Sequence, residues 1–417
     1  MRIAVWHNLP SGGGKRALYD HVRGLVGRGH HVEAWCPAAA DTDFLPLRAL
    51  CREHVLPWAP APARVRLLPG LLPGPRTIRR EAYAQLAALD EHCRQAAAAI
   101  DAGGFDVLFA NSCQYIRATP IGRYSRTPSV LYLQEPNRRL YEAGDRPPFV
   151  GPDPPGRSAL APWYVRNRLA DHLTTAGMRE QLRVEVESAR RFGRLLVNSY
   201  FSRESALRAY GLEATVCYLG VDAGLFDGPA DGPREDAVVG VGSFNPAKRI
   251  EFVIQAVGHL PPPRPRLVWV GNDECGRVRG PAAATGGRPG GGVRAAPAGA
   301  GCGRRPAPAV GRGHGLRPRL EPFGYAPLEA NACGTPVVAI AEGVRETVRD
   351  GENGLVVDPS PRGAGGRHRP AAAGPAAGPA ARRPGAELVR ERWSLAAATD
   401  RLERNLKEVA AGHRGDE

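Results

Sequence analysis

The sequence predicts an α/β protein of two doubly wound domains, each a parallel sheet carrying helices on its faces. Three observations lead there. A strand-turn-helix-strand signal fills the first 36 residues, a strand-helix-strand signal opens at Ala237, and the chain runs to 417 residues. That length exceeds one ordinary core and suits two domains of roughly 200 residues each. Hydrophobic residues make up 43% of the chain, enough to fill both.

Arg2–His7 alternates as a strand does, and Ser11-Gly12-Gly13-Gly14 follows as a turn. A helix from Lys15 puts Leu18, Val22, Leu25 and Val26 on one face, Gly29 stops it, and His31–Cys36 is a second strand with Val32 and Ala34 on one side. A glycine turn presenting backbone N–H groups at a helix N-terminus is how a Rossmann-like sheet begins. Val107–Ala110, Val130–Leu133 and Leu195–Asn198 read as further strands and Glu81–Ile100 as a helix, while the Pro-rich stretches near 57–75 and 146–163 read as surface excursions. The second domain opens with strand Ala237–Gly242, helix Arg249–Leu260 and strand Arg266–Gly271. Periodicity then stops at Gly276 and resumes at Glu321. From Trp393 a last helix runs through Leu395, Leu402, Leu406 and Val409.

The net charge of +14 invites a nucleic-acid or anionic-membrane partner, but it is confined to two windows. Residues 276–320 hold nine Arg and residues 359–386 hold five, with no Asp, Glu or Lys in either, so the remaining chain is formally neutral. Both windows consist almost wholly of Gly, Pro, Ala and Arg, without aromatics to stack on bases and without apolar periodicity. No nucleic-acid partner is therefore expected. The start of the chain lacks the pattern of a signal peptide, and no run approaches the roughly 20 apolar residues of a spanning helix. A cytoplasmic location is expected, with membrane contact at most peripheral. The eight cysteines form no C-x-x-C pair and no zinc-like Cys/His spacing, and read as reduced structural thiols. Asp41-Thr42-Asp43 has the form of a metal-binding D-x-D, but short acidic motifs recur by chance and no metal is expected.

The stretch most informative about chemistry is Glu321-Pro322-Phe323-Gly324-Tyr325-Ala326-Pro327-Leu328-Glu329-Ala330, followed by Gly334-Thr335-Pro336-Val337-Val338-Ala339. Pro327 suits the first turn of a helix, which puts Glu329 close to the helix start and Glu321 in the preceding loop. A helix N-terminus favours a diphosphate, and two carboxylates remain to accept hydrogen bonds from hydroxyl groups. The pattern resembles the E-x7-E signature of the family 4 retaining glycosyltransferases. Val241-Gly242-Ser243-Phe244-Asn245-Pro246-Ala247-Lys248-Arg249 resembles the same family's strand-loop-helix for the donor diphosphate. Lys248 takes its Lys position and Ser243 replaces its Arg, with Arg249 as the substitute cation. Asn198–Glu204 and Tyr218–Asp222 with Phe226 resemble the passage between domains, and Gly12–Gly14 matches the acceptor-domain glycine loop.

The resemblance covers about residues 1–275, 321–358 and 386–417 and implies the two-domain GT-B fold, open at a cleft. It places an acceptor-side domain at 1–215, a nucleotide-sugar-binding domain at 216–392 and a final helix, 393–417, packed back on the first domain. It implies that Glu321 grips the donor sugar, Glu329 the ribose, and Lys248 with Arg249 the diphosphate. Gly13, Gly14 and the Phe323-Gly324-Tyr325 backbone would lie beside the phosphates. Many relatives carry a His where this chain has Leu133-Gln134-Glu135-Pro136. Glu135 is either a residue that orients acceptor or sugar, or a turn carboxylate before Pro136. Retention would follow from same-face attack, with a donor phosphate oxygen taking the acceptor proton. The partners implied are a nucleotide-sugar donor and a hydroxyl acceptor, with no cofactor. An epimerase or hydrolase of the same fold is the second enzymatic reading.

Between Gly276 and Leu320 the family has strands and helices, and this chain has a Gly/Pro/Arg/Ala tract. A GC-rich gene read out of frame yields that composition. Residues 313–318 can be encoded so that a one-base shift reads Ala-Thr-Val-Phe-Ala, a buried-strand sequence. The alternative is a pair of disordered insertions, at 276–320 and 359–386. Either way, the composition predicts no packed secondary structure across 276–320, an incomplete second sheet, and Glu321 and Glu329 without rigid support. A non-catalytic product of a disrupted gene is the rival reading.

Overall fold

A computed structural model describes the backbone of residues 1–58, 75–138, 179–226, 235–242, 248–271, 294–297, 311–316, 321–340, 343–360 and 379–414. The chain divides into two compact units, Met1–Cys217 with Thr399–Glu417, and Tyr218–Ala398.

The first unit is built on a seven-stranded parallel sheet: β1 (Arg2–Asn8), β2 (His31–Pro37), β3 (Arg52–Leu56), β4 (Val107–Cys113), β5 (Ser129–Gln134), β6 (Arg194–Val197) and β7 (Thr215–Val216). Their spatial order is β3-β2-β1-β4-β5-β6-β7, so the winding reverses between β1 and β4. Both faces are covered, which explains why β4 is buried at every position. Helix α1 (Gly13–Gly27) packs Leu18, Val22 and Leu25, all fully buried. Burial of each contributes about 1.5–3 kcal/mol. It ends as the sequence leads one to expect: Gly29, at φ 79°, donates to Val26 O at 2.9 Å and His30 N donates to Leu25 O at 3.2 Å, a Schellman closure. The opposite face buries Trp6, Leu108 and Leu131 with Leu89, Cys93 and Ile100 of α2 (Pro75–Ala102). Strand β3 carries no alternation, being a partly exposed edge, and the sequence pattern does not reveal it.

The second unit holds a six-stranded parallel sheet: β8 (Glu235–Val241), β9 (Arg266–Gly271), β10 (Arg294–Pro297), β11 (Gly311–Leu316), β12 (Val337–Ile340) and β13 (Gly354–Val357). Its order is β10-β9-β8-β11-β12-β13, reversing between β8 and β11. Helix α3 (Tyr200–Tyr210) lies in the first unit. The second contains α4 (Ile250–Gly258), α5 (Tyr325–Ala332) and α6 (Pro379–Arg392), and α7 (Leu395–Arg414) passes from Leu395 in the second unit to Thr399 and beyond in the first. There Leu402 and Leu406 of α7 are fully buried, and Glu403 pairs with Arg28 and His30.

The expectation of an unstructured 276–320 and an incomplete sheet is corrected here. Arg294–Pro297 pairs with Val268–Gly271, and Gly311–Leu316 pairs on both sides, with β8 and with β12. The physical reason is that a parallel ladder is bonded through main-chain groups, which Gly and Arg carry as well as Val does. The Val-rich neighbours β8 and β12 flank β11 on its two sides. The second Arg-rich window likewise runs into helix, since α6 begins at Pro379. Residues 276–293, 298–310, 317–320 and 361–378, and the Pro-rich 59–74 and 146–163, lie outside the described residues. Among the described residues no helix is long and apolar enough to cross a membrane.

Candidate active site

In an open α/β sheet, ligands bind outside the carboxyl ends of the strands where the winding reverses. In the second unit those strands are β8 and β11. The segment after β8 leads to Lys248, and the segment after β11 leads to Glu321. Lys248 Nζ lies 3.0 Å from Glu321 Oε2, both side chains being about one quarter exposed. Residues 73 apart in the chain are thus paired at the switch point. Ser243 lies outside the described residues. Arg249 sits at φ 50° just before α4 with its guanidinium 5.7 Å from the Phe252 ring centroid.

The support beneath Lys248 was not legible in the sequence. Its stem rests on Gly242, where an added Cβ would lie 3.3 Å from both Cγ and Cδ of the lysine. Gly242 is itself held at both ends. Its N–H donates to Val270 O at 2.9 Å, and its carbonyl accepts from Trp269 Nε1 at 2.8 Å. The only sequence signal was a glycine at the end of a strand.

Gly324, at φ 82°, precedes α5, and an added Cβ there would come within 3.1 Å of Val344 Cγ1, so a glycine is required. Pro327 is in the first turn, where its missing N–H costs nothing, and Glu329 is half-buried one turn in. Phe323 is buried, edge-on to Tyr325 and Trp393 at 5.6 and 5.5 Å, and its carbonyl accepts from Thr347 Oγ1 at 3.0 Å. This packing fixes the backbone from Glu321 to Tyr325. The expected loss of rigid support for Glu321 and Glu329 is therefore not what is found.

In the first unit, Gly13 and Gly14 open α1 at the end of β1. Gly14 lies against Gln134, whose Nε2 is 3.5 Å from Gly14 O and would meet an added Cβ at 3.1 Å. Gln134 has φ 62°, turning the chain after β5, and Glu135 Oε2 accepts from Arg138 Nε and Nη2 at 3.0 and 2.9 Å. Asp41 Oδ1 accepts from the backbone N–H of Asp43 and Phe44, at 3.0 and 2.9 Å, and Asp43 pairs with Arg48 at 3.3 Å, so this D-x-D shapes a turn.

A buried polar group beneath α1 also escaped the sequence reading. His7, Cys36 and Glu53 offer three potential ligand atoms within 4.8 Å of one another, but Lys15 Nζ sits 3.4 Å from His7 Nε2 and supplies a cation there. Burial, reinforced by Lys15, lowers His7 to about 4 and so keeps it neutral, while the nearby Glu53 works the other way. Burial also lowers Lys15, and Glu53 opposes it. Burial would raise Glu53, but His7 and Lys15 outweigh it and hold the carboxylate below its ordinary range. Parallel register pairs Trp6 with Trp35, the residues just before His7 and Cys36 on β1 and β2.

Residues 315–364 match the family model described as Glycosyl transferases group 1. A stretch of 39 residues is 56% identical to D-inositol 3-phosphate glycosyltransferase of Thermomonospora curvata, spanning 9% of this chain and 9% of that protein. In three dimensions the chain is similar to sucrose-phosphate synthase from Thermosynechococcus elongatus, with TM-score 0.68 and 17% identity over 99% of this chain and 100% of that one. It is similar also to Anabaena HepE in complex with UDP-glucose, with TM-score 0.64 and 16% identity over 98% and 100%. A glycosyltransferase from Rickettsia africae gives TM-score 0.64 at 12% identity over 98% of each chain. These structural likenesses establish the fold, and the local match identifies the segment that carries Glu321 and Glu329. That segment matches the group 1 glycosyl transferases, on a chain with the GT-B fold of solved glycosyltransferases.

Proposed function

We propose that the protein moves a sugar, a hexose or close relative, from a nucleotide diphosphate sugar to a hydroxyl acceptor with retention of anomeric configuration, as a cytoplasmic enzyme of family 4. The observation that carries this reading is the meeting of Lys248 and Glu321 at the switch point of the second sheet. The HepE structure, a complex with UDP-glucose, supports a nucleotide-sugar donor.

Breaking the bond from the sugar to the diphosphate leaves negative charge on the phosphate oxygens. Lys248 and the N-terminus of α5 are cationic or positively polarised where that charge develops. Glu321 accepts from sugar hydroxyls and Glu329 from ribose hydroxyls, Arg249 adds positive charge, and Phe323–Tyr325 offers backbone beside the phosphates. The acceptor oxygen bonds to the sugar carbon on the face the diphosphate leaves, and its proton passes to a diphosphate oxygen. In the first unit, the residues that the family resemblance assigns to the reaction are Gly13 and Gly14, at the start of α1, and Glu135, after β5. No step requires a metal. The test is titration of the full chain with UDP-, GDP-, ADP- and dTDP-sugars, with nucleoside diphosphate release measured with and without candidate hydroxyl acceptors. Binding lost in Lys248→Ala is expected, and binding of none of these donors by the wild type refutes the proposal. Release independent of any acceptor favours a hydrolase.

A second reading has its own support. The shifted translation Ala-Thr-Val-Phe-Ala falls on 313–317, overlapping β11, where it would place apolar residues in a strand paired on both sides. On this reading the chain is the product of a gene whose frame is lost after about Gly276 and regained before Glu321, and its activity is weakened. The coding DNA decides: an open alternative frame encoding apolar strands and helices across 276–320 supports it, and the absence of one refutes it.

A further inference from the structure

The donor site proposed above holds two of its charged side chains, Lys248 and Glu321, bonded to each other. Lys248 is assigned the diphosphate and Glu321 the sugar, yet they are 3.0 Å apart and both still reach solvent. The lysine stem lies along Gly242, whose carbonyl is held by the Trp269 indole N–H, so the ammonium is directed at Glu321 by a fixed backbone. We infer that the Lys248–Glu321 pair makes the site discriminate intact nucleotide sugar from bare nucleoside diphosphate, and so favours release of the spent product. This rests on the donor-site reading. A diphosphate without sugar must draw Lys248 from Glu321 and leaves the carboxylate uncompensated beside phosphate oxygens. An intact donor brings hydroxyl groups that donate to that carboxylate and replace the lost pair. Gly242 and Trp269 are positioning residues in this scheme, acting through the lysine.

The experiment is isothermal titration of the full chain and of Glu321→Gln with UDP, GDP and ADP, each with and without attached glucose. Circular dichroism melts establish that the variants fold, and Glu321→Ala repeats the measurement should the Gln form fail. An exposed ion pair sets the scale at up to about fivefold. Glu321→Gln should bind the accepted diphosphate about fivefold more tightly than wild type does. It should bind the corresponding nucleotide sugar no better than wild type does, so the preference for intact donor collapses. If wild type binds a diphosphate and Glu321→Gln binds it no more tightly, the inference is overturned and the donor site stands. If wild type binds none of the six, the donor-site reading fails and this inference with it.

Discussion

Glu403 ties α7 to the end of α1, and its removal has a magnitude that can be worked out. Its carboxylate meets Lys407 Nζ at 2.6 Å, Arg28 Nη1 at 2.5 Å and His30 Nε2 at 3.0 Å. The Lys407 and Arg28 bonds hold it at about 2, against an ordinary 4.5. A lowering of that size has a ceiling of roughly 3.4 kcal/mol, at about 1.36 kcal/mol per pH unit. Arg28 and Lys407 remain partly solvated, so screening reduces this to about 1–2 kcal/mol. Because the folded-state value is depressed, the stabilisation is fully present above about pH 4.5 and is lost as pH falls through about 2. Urea unfolding of wild type and Glu403→Gln should therefore differ by about 1–2 kcal/mol at pH 7, and by roughly half of that near pH 3. Equal stabilities at pH 7, or a gap that does not narrow on acidification, would show that the three contacts do not hold the helix.

Other expectations bear on the site. Glu329→Ala should raise the donor dissociation constant about 10-fold to 100-fold through loss of charge-assisted hydrogen bonds worth about 1.5–3 kcal/mol, whereas Glu321→Ala should depress turnover more than donor binding; wild-type kinetics in both would sink the assignment. Chelation by EDTA should leave sugar transfer unchanged, and loss of activity restored by manganese or magnesium would reopen the case for Asp41 and Asp43. Replacing residues 313–317 with Ala-Thr-Val-Phe-Ala should raise the urea midpoint, because β11 is paired on both sides. An unchanged or lower midpoint would count against the lost-frame reading.

Much of the first unit was legible because its elements are locally self-consistent. Arg2–Asn8, the glycine turn, the apolar face of α1 and Gly29 each follow from side-chain pattern and backbone freedom within a few residues. The segment from Glu321 to Ala339 was legible for a similar reason, since Gly324 and Pro327 constrain the backbone wherever they occur. Strands β3 and β7 were not, as an edge strand and a two-residue strand leave no alternation to read. Composition misled at β11, where Gly-Arg-Gly-His-Gly-Leu has no strand preference of its own.

The fold class was fixed by side-chain pattern along the chain, as were the residue types that stand at each strand end. Only the tertiary structure decided which of them meet. Lys248 finds Glu321 because β8 and β11 are neighbours at the reversal of strand order, and Lys15 joins His7 and Glu53 because β1, β2 and β3 are in parallel register beneath α1. Pairing between strands distant in the chain is a property of main-chain hydrogen bonding and of shared cores, to which no single segment of sequence bears a local signal.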